Sequence, residues 1–81
     1  MYKVYILYSK LLDKYYIGHT SDLIKRLYKH NRGLVKSTKN GCPWQTVYIE
    51  DFGNKKEAYR RELQIKSYKK GEAFKKLFNK K

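Results

Sequence analysis

Apolar side chains recur along this chain with two different periods. Residues 2 to 8, Tyr-Lys-Val-Tyr-Ile-Leu-Tyr, are dense in β-branched and aromatic side chains and predict a strand. Ser9 to Asp13 is a connection of hairpin length, and Lys14 to His19 predicts a second strand with Gly18 near its end, paired antiparallel to the first. The period then lengthens. Leu23, Ile24, Leu27 and Tyr28 fall on one helical face, with Ser21 as N-cap and Asp22 complementing the positive helix end. Asn31 and Arg32 close this helix and Gly33 stops it. Residues 34 to 44, rich in Lys, Ser, Thr, Asn and Gly with Pro43 near the end, predict a loop. Gln45 to Phe52 predicts a third strand through Thr46, Val47, Tyr48 and Ile49. Asn54 and Glu57 resemble a capping box that opens a helix running to about Lys70. Gly71 breaks it, and Glu72 to Asn79 predicts a short last helix carrying Phe74, Leu77 and Phe78. The order β-β-α-β-α-α predicts an α+β fold, a small three-stranded antiparallel sheet flanked by helices.

Composition narrows this picture. At 81 residues the chain has room for one domain, residues 1–81, and one core. With 41% hydrophobic and 16% aromatic residues a compact fold is feasible and disorder is not expected. Nine tyrosines supply much of the apolar area while bringing hydroxyls that need partners, which suits a half-buried sheet beside a polar cleft. Cys42 is alone, so no internal disulfide forms, and the chain reads as a protein of a reducing compartment. His19, His30 and Cys42 show no zinc spacing. No apolar run approaches the ~20 residues of a membrane helix, and the Tyr-rich N-terminus is no signal peptide, so the expected address is the cytoplasm.

Charge adds a partner. Twenty Lys+Arg against seven Asp+Glu give +13, a field that concentrates polyanions, nucleic acid first among them. Simple solubility is the plainer alternative. A membrane surface fits less well, because the lysines are interleaved with tyrosines along the whole chain.

Three groups of residues break the pattern. Ala58 and Ile65 lie within roughly 20° of each other on the second predicted helix, and Tyr59 and Leu63 roughly 40° apart on the other flank of one apolar arc. Glu62 projects between them, where a carboxylate needs an ion pair, a hydrogen bond or a metal; Lys66 shares the arc. Arg26 and His30, one turn apart, edge the Leu23–Leu27 stripe. Arg26 suits bidentate phosphate contact and His30 general acid–base work or a second phosphate contact, and both also fit an ordinary basic helix face. Tyr5 and Tyr16 present hydroxyls from adjacent strands, either as packing or as catalytic groups with a lowered pKa.

Taken in order, Val4-Tyr5, then after ten residues Tyr16-Ile17-Gly18, then Arg26 and His30 in the next helix and Glu62 in a later one, resemble the GIY-YIG nucleases. The stretches Val4-Tyr5-Ile6-Leu7 and Ala58-Tyr59-Arg60-Arg61-Glu62-Leu63-Gln64-Ile65-Lys66 are similar to small stand-alone bacterial members, and the resemblance runs from about Lys3 to Lys70. It implies two tyrosines, an arginine and a glutamate around a scissile phosphate, with one divalent cation on the glutamate, usually magnesium, with manganese as the alternative. On this chain these are Tyr5, Tyr16, Arg26 and Glu62, with His30 one turn after the arginine, Gly18 as the glycine of the second motif, and Lys14 assisting the nucleophile. The implied chemistry is one-metal hydrolysis of DNA, with RNA as the other nucleic acid in view. Tyr5 acts as base or positions the water, Arg26 neutralises non-bridging oxygens, and magnesium on Glu62 stabilises the leaving oxygen. From a different class, a nucleic-acid-binding module of the same fold with little turnover is the alternative. Lys3 stands where the family name has glycine, and Asn79, the late asparagine, is left unassigned. The chain has no room for the separate DNA-binding domain that most relatives attach, so specificity is expected from the domain itself or from a partner.

Overall fold

The first strand, β1 (Tyr2–Ser9), is buried on both faces, and this decides the architecture. In the computed structural model, which describes residues 1–68 and 71–78, β1 lies between β2 (Lys14–Thr20) and β3 (Trp44–Phe52), antiparallel to both. Side chains alternate across a strand. Val4 and Ile6 therefore point to one side, where Ala58, Ile65 and Phe74 complete a core from α2 (Lys55–Lys66) and α3 (Glu72–Phe78). Tyr5 and Leu7 point to the other side, against Trp44, Tyr16, and Leu23 and Leu27 of α1 (Leu23–Asn31). The result is the expected α+β sandwich, a three-stranded antiparallel sheet with helices on both faces. Among the described residues no helix is long and apolar enough to cross a membrane.

Local chemistry sets the ends of these elements. The 10–13 turn closes with Asp13 at φ 52, a left-handed conformation that Asp tolerates, while the Tyr8 hydroxyl donates to Asp13 Oδ1 at 2.8 Å. Asp22, not Ser21, caps α1, its Oδ1 accepting from the Lys25 N–H at 3.1 Å, and Gly33 at φ 73 stops it. Asn54 caps α2 as expected, accepting from the Glu57 N–H at 2.9 Å. This helix ends at Lys66 with Ser67 as its C-cap, ahead of the expected Lys70; Lys69 and Lys70 lie outside the described residues, as does Asn79.

Two helical faces differ from their expected orientation. On α1, Ile24 and Tyr28 are exposed, and the inward stripe is Leu23, Arg26, Leu27 and His30. On α2, Tyr59 and Leu63 are about half exposed, and the buried side is Ala58, Glu62 and Ile65 with half-buried Arg61. Arg61 explains the turn of α2. Its Nε donates to Glu50 Oε1 on β3 at 2.7 Å, and Glu50 also receives the Tyr48 hydroxyl at 2.8 Å. With Arg61 turned inward the Tyr59–Leu63 flank faces out, while Glu62 is buried with Ala58 and Ile65, as expected. In the expected 34–44 loop a short 3₁₀ turn, Lys39–Gly41, precedes Trp44, which is buried at the start of β3.

Candidate active site

Register places the two motif strands side by side. Tyr5 pairs with Gly18 and Leu7 with Tyr16, so Tyr5, Tyr16 and Gly18 share the face toward α1. A Cβ on Gly18 would lie 2.6 Å from Tyr5 Oη, 2.8 Å from its Cζ and 3.3 Å from Tyr16 Cε2. The missing side chain is the space that the Tyr5 phenol fills. Gly18→Ala is expected to force this ring aside and cost about 1–3 kcal/mol of stability, the range for overpacking; denaturant unfolding measures it, and an unchanged midpoint would show the phenol is not held there.

The α1 side of the sheet carries a connected polar chain. Thr38, buried in the 34–43 loop, has its hydroxyl 3.4 Å from the Val35 carbonyl, to which it donates, leaving its oxygen to accept from His30 Nδ1 at 2.7 Å. That arrangement puts the His30 proton on Nδ1 and leaves Nε2, 3.3 Å from the Tyr5 hydroxyl, as its acceptor; the tautomer is assigned from the hydrogen-bond network. Trp44 Nε1 donates to the Thr38 carbonyl at 2.8 Å, tying the loop to β3. His30 is fully buried and packs 4.9 Å from the Tyr16 ring. Burial, then the charge of Arg26, lowers its pKa from 6.5 to about 4, so the imidazole is neutral at pH 7.

Arg26 joins the two tyrosines. Its guanidinium stands beside both phenols, and the influence of Tyr5, then of Tyr16, pushes its pKa up. For Tyr5 burial is the largest influence and raises the phenol pKa; the Arg26 bond opposes it, while the charge of Glu62 adds to the rise. Arg26 also lines a cavity of about 360 Å³ with Thr20, Ser21, Asp22, Lys25 and Lys29. Among the described lining residues three cations thus stand around one cleft, opposed by Asp22.

Glu62 approaches from α2. Its Oε1 lies 2.5 Å from His19 Nδ1 and its Oε2 2.7 Å from Lys66 Nζ. The ion pair weighed for this carboxylate is therefore present, with a histidine added. Its charge still reaches Tyr5. Among the described residues no three His, Cys, Asp or Glu side chains converge as metal ligands. A lone carboxylate nonetheless suits magnesium, which keeps most of its waters and takes few protein ligands.

Comparison with known proteins now bears on this geometry. The GIY-YIG catalytic domain matches residues 1–77. The chain belongs to the GIY-YIG family. This is a nuclease superfamily, with nucleic acid as its general substrate class. A UPF0213 protein of Staphylococcus saprophyticus is 44% identical over 70 residues, covering 84% of this chain and 85% of the relative. One of Clostridium perfringens is 45% identical over 64 residues, covering 78% and 68%. The solution NMR structure of a UPF0213 protein from Bacillus halodurans is 32% identical, covers 91% of this chain and 92% of its own, and superposes with a TM-score of 0.49.

Within the GIY-YIG pattern, Tyr5, Tyr16, Gly18, Arg26 and His30 come together on the α1 face, whereas Glu62 lies on the α2 side with His19 and Lys66, from where its charge acts on Tyr5. Lys14 does not join them. It shares the face of Tyr16 by alternation but is exposed at the far end of β2, opposite Ser9. Lys3, in place of the motif glycine, pairs with Asp51 on β3 at 2.5 Å. Sequence reasoning missed His19 and Thr38. Alternation along β2 turns His19 away from Tyr16 and Gly18 toward α2, which was a usable signal for the Glu62 contact; Thr38 carried none.

Proposed function

We propose that this chain is a metal-dependent endonuclease that hydrolyses phosphodiester bonds in DNA. The observation that carries this reading is Arg26, whose guanidinium acts on both Tyr5 and Tyr16 and lines a basic cleft of about 360 Å³ with Lys25 and Lys29. A phosphate entering the cleft meets Lys25 and Lys29 along α1 and Arg26 beside the tyrosines. Arg26 neutralises the non-bridging oxygens as charge builds in the transition state. Tyr5, buried and with a raised pKa, holds its proton toward His30 and its oxygen toward Arg26, so it positions the guanidinium and does not take a proton from water. His30 has no exposed surface and serves by holding Tyr5, not by touching phosphate. Tyr16, half-buried beside Arg26, is the tyrosine open to an attacking water. Glu62 would hold the magnesium or manganese ion, which when bound supplies Lewis-acid stabilisation of the leaving oxygen. Because water is the nucleophile, no 2′-hydroxyl is required and DNA qualifies.

Supercoiled plasmid and branched DNA incubated with the protein and magnesium or manganese should be nicked, and Glu62→Ala should abolish the nicking. Equal nicking by the variant would assign the activity to a contaminant and remove the reading. The engagement of both Glu62 oxygens by His19 and Lys66 favours a second reading, a binding module without turnover. It prevails if DNA binding falls steeply with salt, by a log–log slope of about −0.9 for each phosphate neutralised, and no cleavage appears.

A further inference from the structure

The two oxygens of Glu62 are held by unlike partners. Oε1 meets His19 Nδ1, an imidazole whose side chain is 18% exposed, and Oε2 meets Lys66 Nζ, whose side chain is 49% exposed. His19 cannot leave easily. It belongs to β2, whose backbone is fixed by pairing with β1, and the Tyr59 ring stands edge-on to it at 5.6 Å and 61°. Lys66 can leave. It sits one turn along the same helix on a flexible stem, and it can carry its ammonium into water without disturbing the core. A buried carboxylate without a compensating charge is costly, so Glu62 needs a cation on this oxygen whether or not metal is present.

Resting on the metal-dependent reading above, we propose that Lys66 occupies the cation position on Glu62 in the metal-free protein and that a divalent ion enters by displacing it. His19 meanwhile holds Oε1 and fixes the direction in which the carboxylate faces. Lys66 is thus a built-in competitor for the ion, and His19 a positioning residue that favours it. The two residues touch the same carboxylate, and their removal shifts metal affinity in opposite directions. Simple loss of packing does not produce that pattern.

The test is Mn²⁺ binding to the full chain, followed by the electron paramagnetic resonance of free Mn²⁺, with thermal melts confirming that each variant is folded. Mn²⁺ should bind about 10-fold tighter to Lys66→Met and about 10-fold more weakly to His19→Ala, the scale on which partners of a metal ligand act. His19→Asn, whose amide N–H stands near the place of Nδ1, should recover most of the lost affinity. Lys56→Met, which removes an equal charge from an exposed position of α2, should leave affinity within about twofold if the effect is local and not a matter of net charge. Binding that vanishes in Glu62→Gln places the ion on this carboxylate. Binding by Lys66→Met with none by the native chain would also support the exchange. Should the native protein bind through Glu62 while Lys66→Met binds no tighter, the exchange is overturned and the metal-dependent reading stands. Should neither bind, both fall.

Discussion

Arg26→Ala should slow phosphodiester cleavage by about 10²–10³-fold, the loss expected on removing one preorganised group that stabilises transition-state charge. The size follows from two functions held by one side chain. Arg26 faces the cleft where phosphate is proposed to bind, and its charge also acts on the phenols of Tyr5 and Tyr16. With the guanidinium gone, burial and the charges of Tyr16 and Glu62 push the Tyr5 phenol further up, with nothing from Arg26 to oppose them. Arg26→Lys keeps the charge but loses the planar fork that suits bidentate phosphate contact, so it should restore only part of the rate. Single-turnover cleavage at saturating metal measures both variants. A rate for Arg26→Ala within threefold of the native chain would mean that the cleft is not where the phosphate reacts.

Lowering the pH from 7 to 5 should cost the fold about 2 kcal/mol, through His30 alone. The unfolded imidazole takes up a proton near pH 6.5, whereas the folded one, depressed by burial and by Arg26, does so only near about 4. Its contribution is complete above pH 6.5 and drains away as the pH falls toward 4. Against total stabilities of about 5–15 kcal/mol for small domains this is a large share. Urea unfolding at pH 7, 6 and 5 tests it with His30→Gln beside the native chain. The variant should start lower and fall less steeply, which separates His30 from the carboxylates that titrate further down. Parallel slopes would assign the acid sensitivity elsewhere. Protonation of His30 also removes the acceptor for the Tyr5 hydroxyl, so the reaction centre and the core are expected to loosen together.

How legible this was in the sequence differed from element to element. Three strands, three helices and their order followed from local pattern, because apolar period and capping chemistry at Asn54 and Gly33 act within a few residues. The facing of helices did not follow. Ile24, Tyr28, Tyr59 and Leu63 look inward-facing on any helical wheel, yet the inward places on α1 go to Arg26 and His30 and those on α2 include Arg61. Each of these polar groups finds its partner on a distant part of the chain: Tyr5, Thr38 and Glu50. Periodicity weighs apolarity and cannot see such partners. For the same reason Glu62 stands out in the sequence as out of place, while His19, its neighbour in space, does not. The family pattern supplied the group Tyr5, Tyr16, Arg26, His30 and Glu62; the Thr38 support beneath it came from a loop with no local signal.

Alternation along β2 sends Tyr16 and Gly18 to one helix layer and His19 to the other, so seven consecutive residues serve two layers at once. Deleting Tyr15 while Lys14 keeps its place would exchange those assignments, turning the tyrosine and glycine positions toward α2 and the histidine toward α1. The 10–13 turn has no such duty, since Leu11, Leu12 and Asp13 are exposed and pair with no strand. Insertions placed in that turn should therefore be absorbed without harm, whereas β2 has a reading frame that one missing residue destroys.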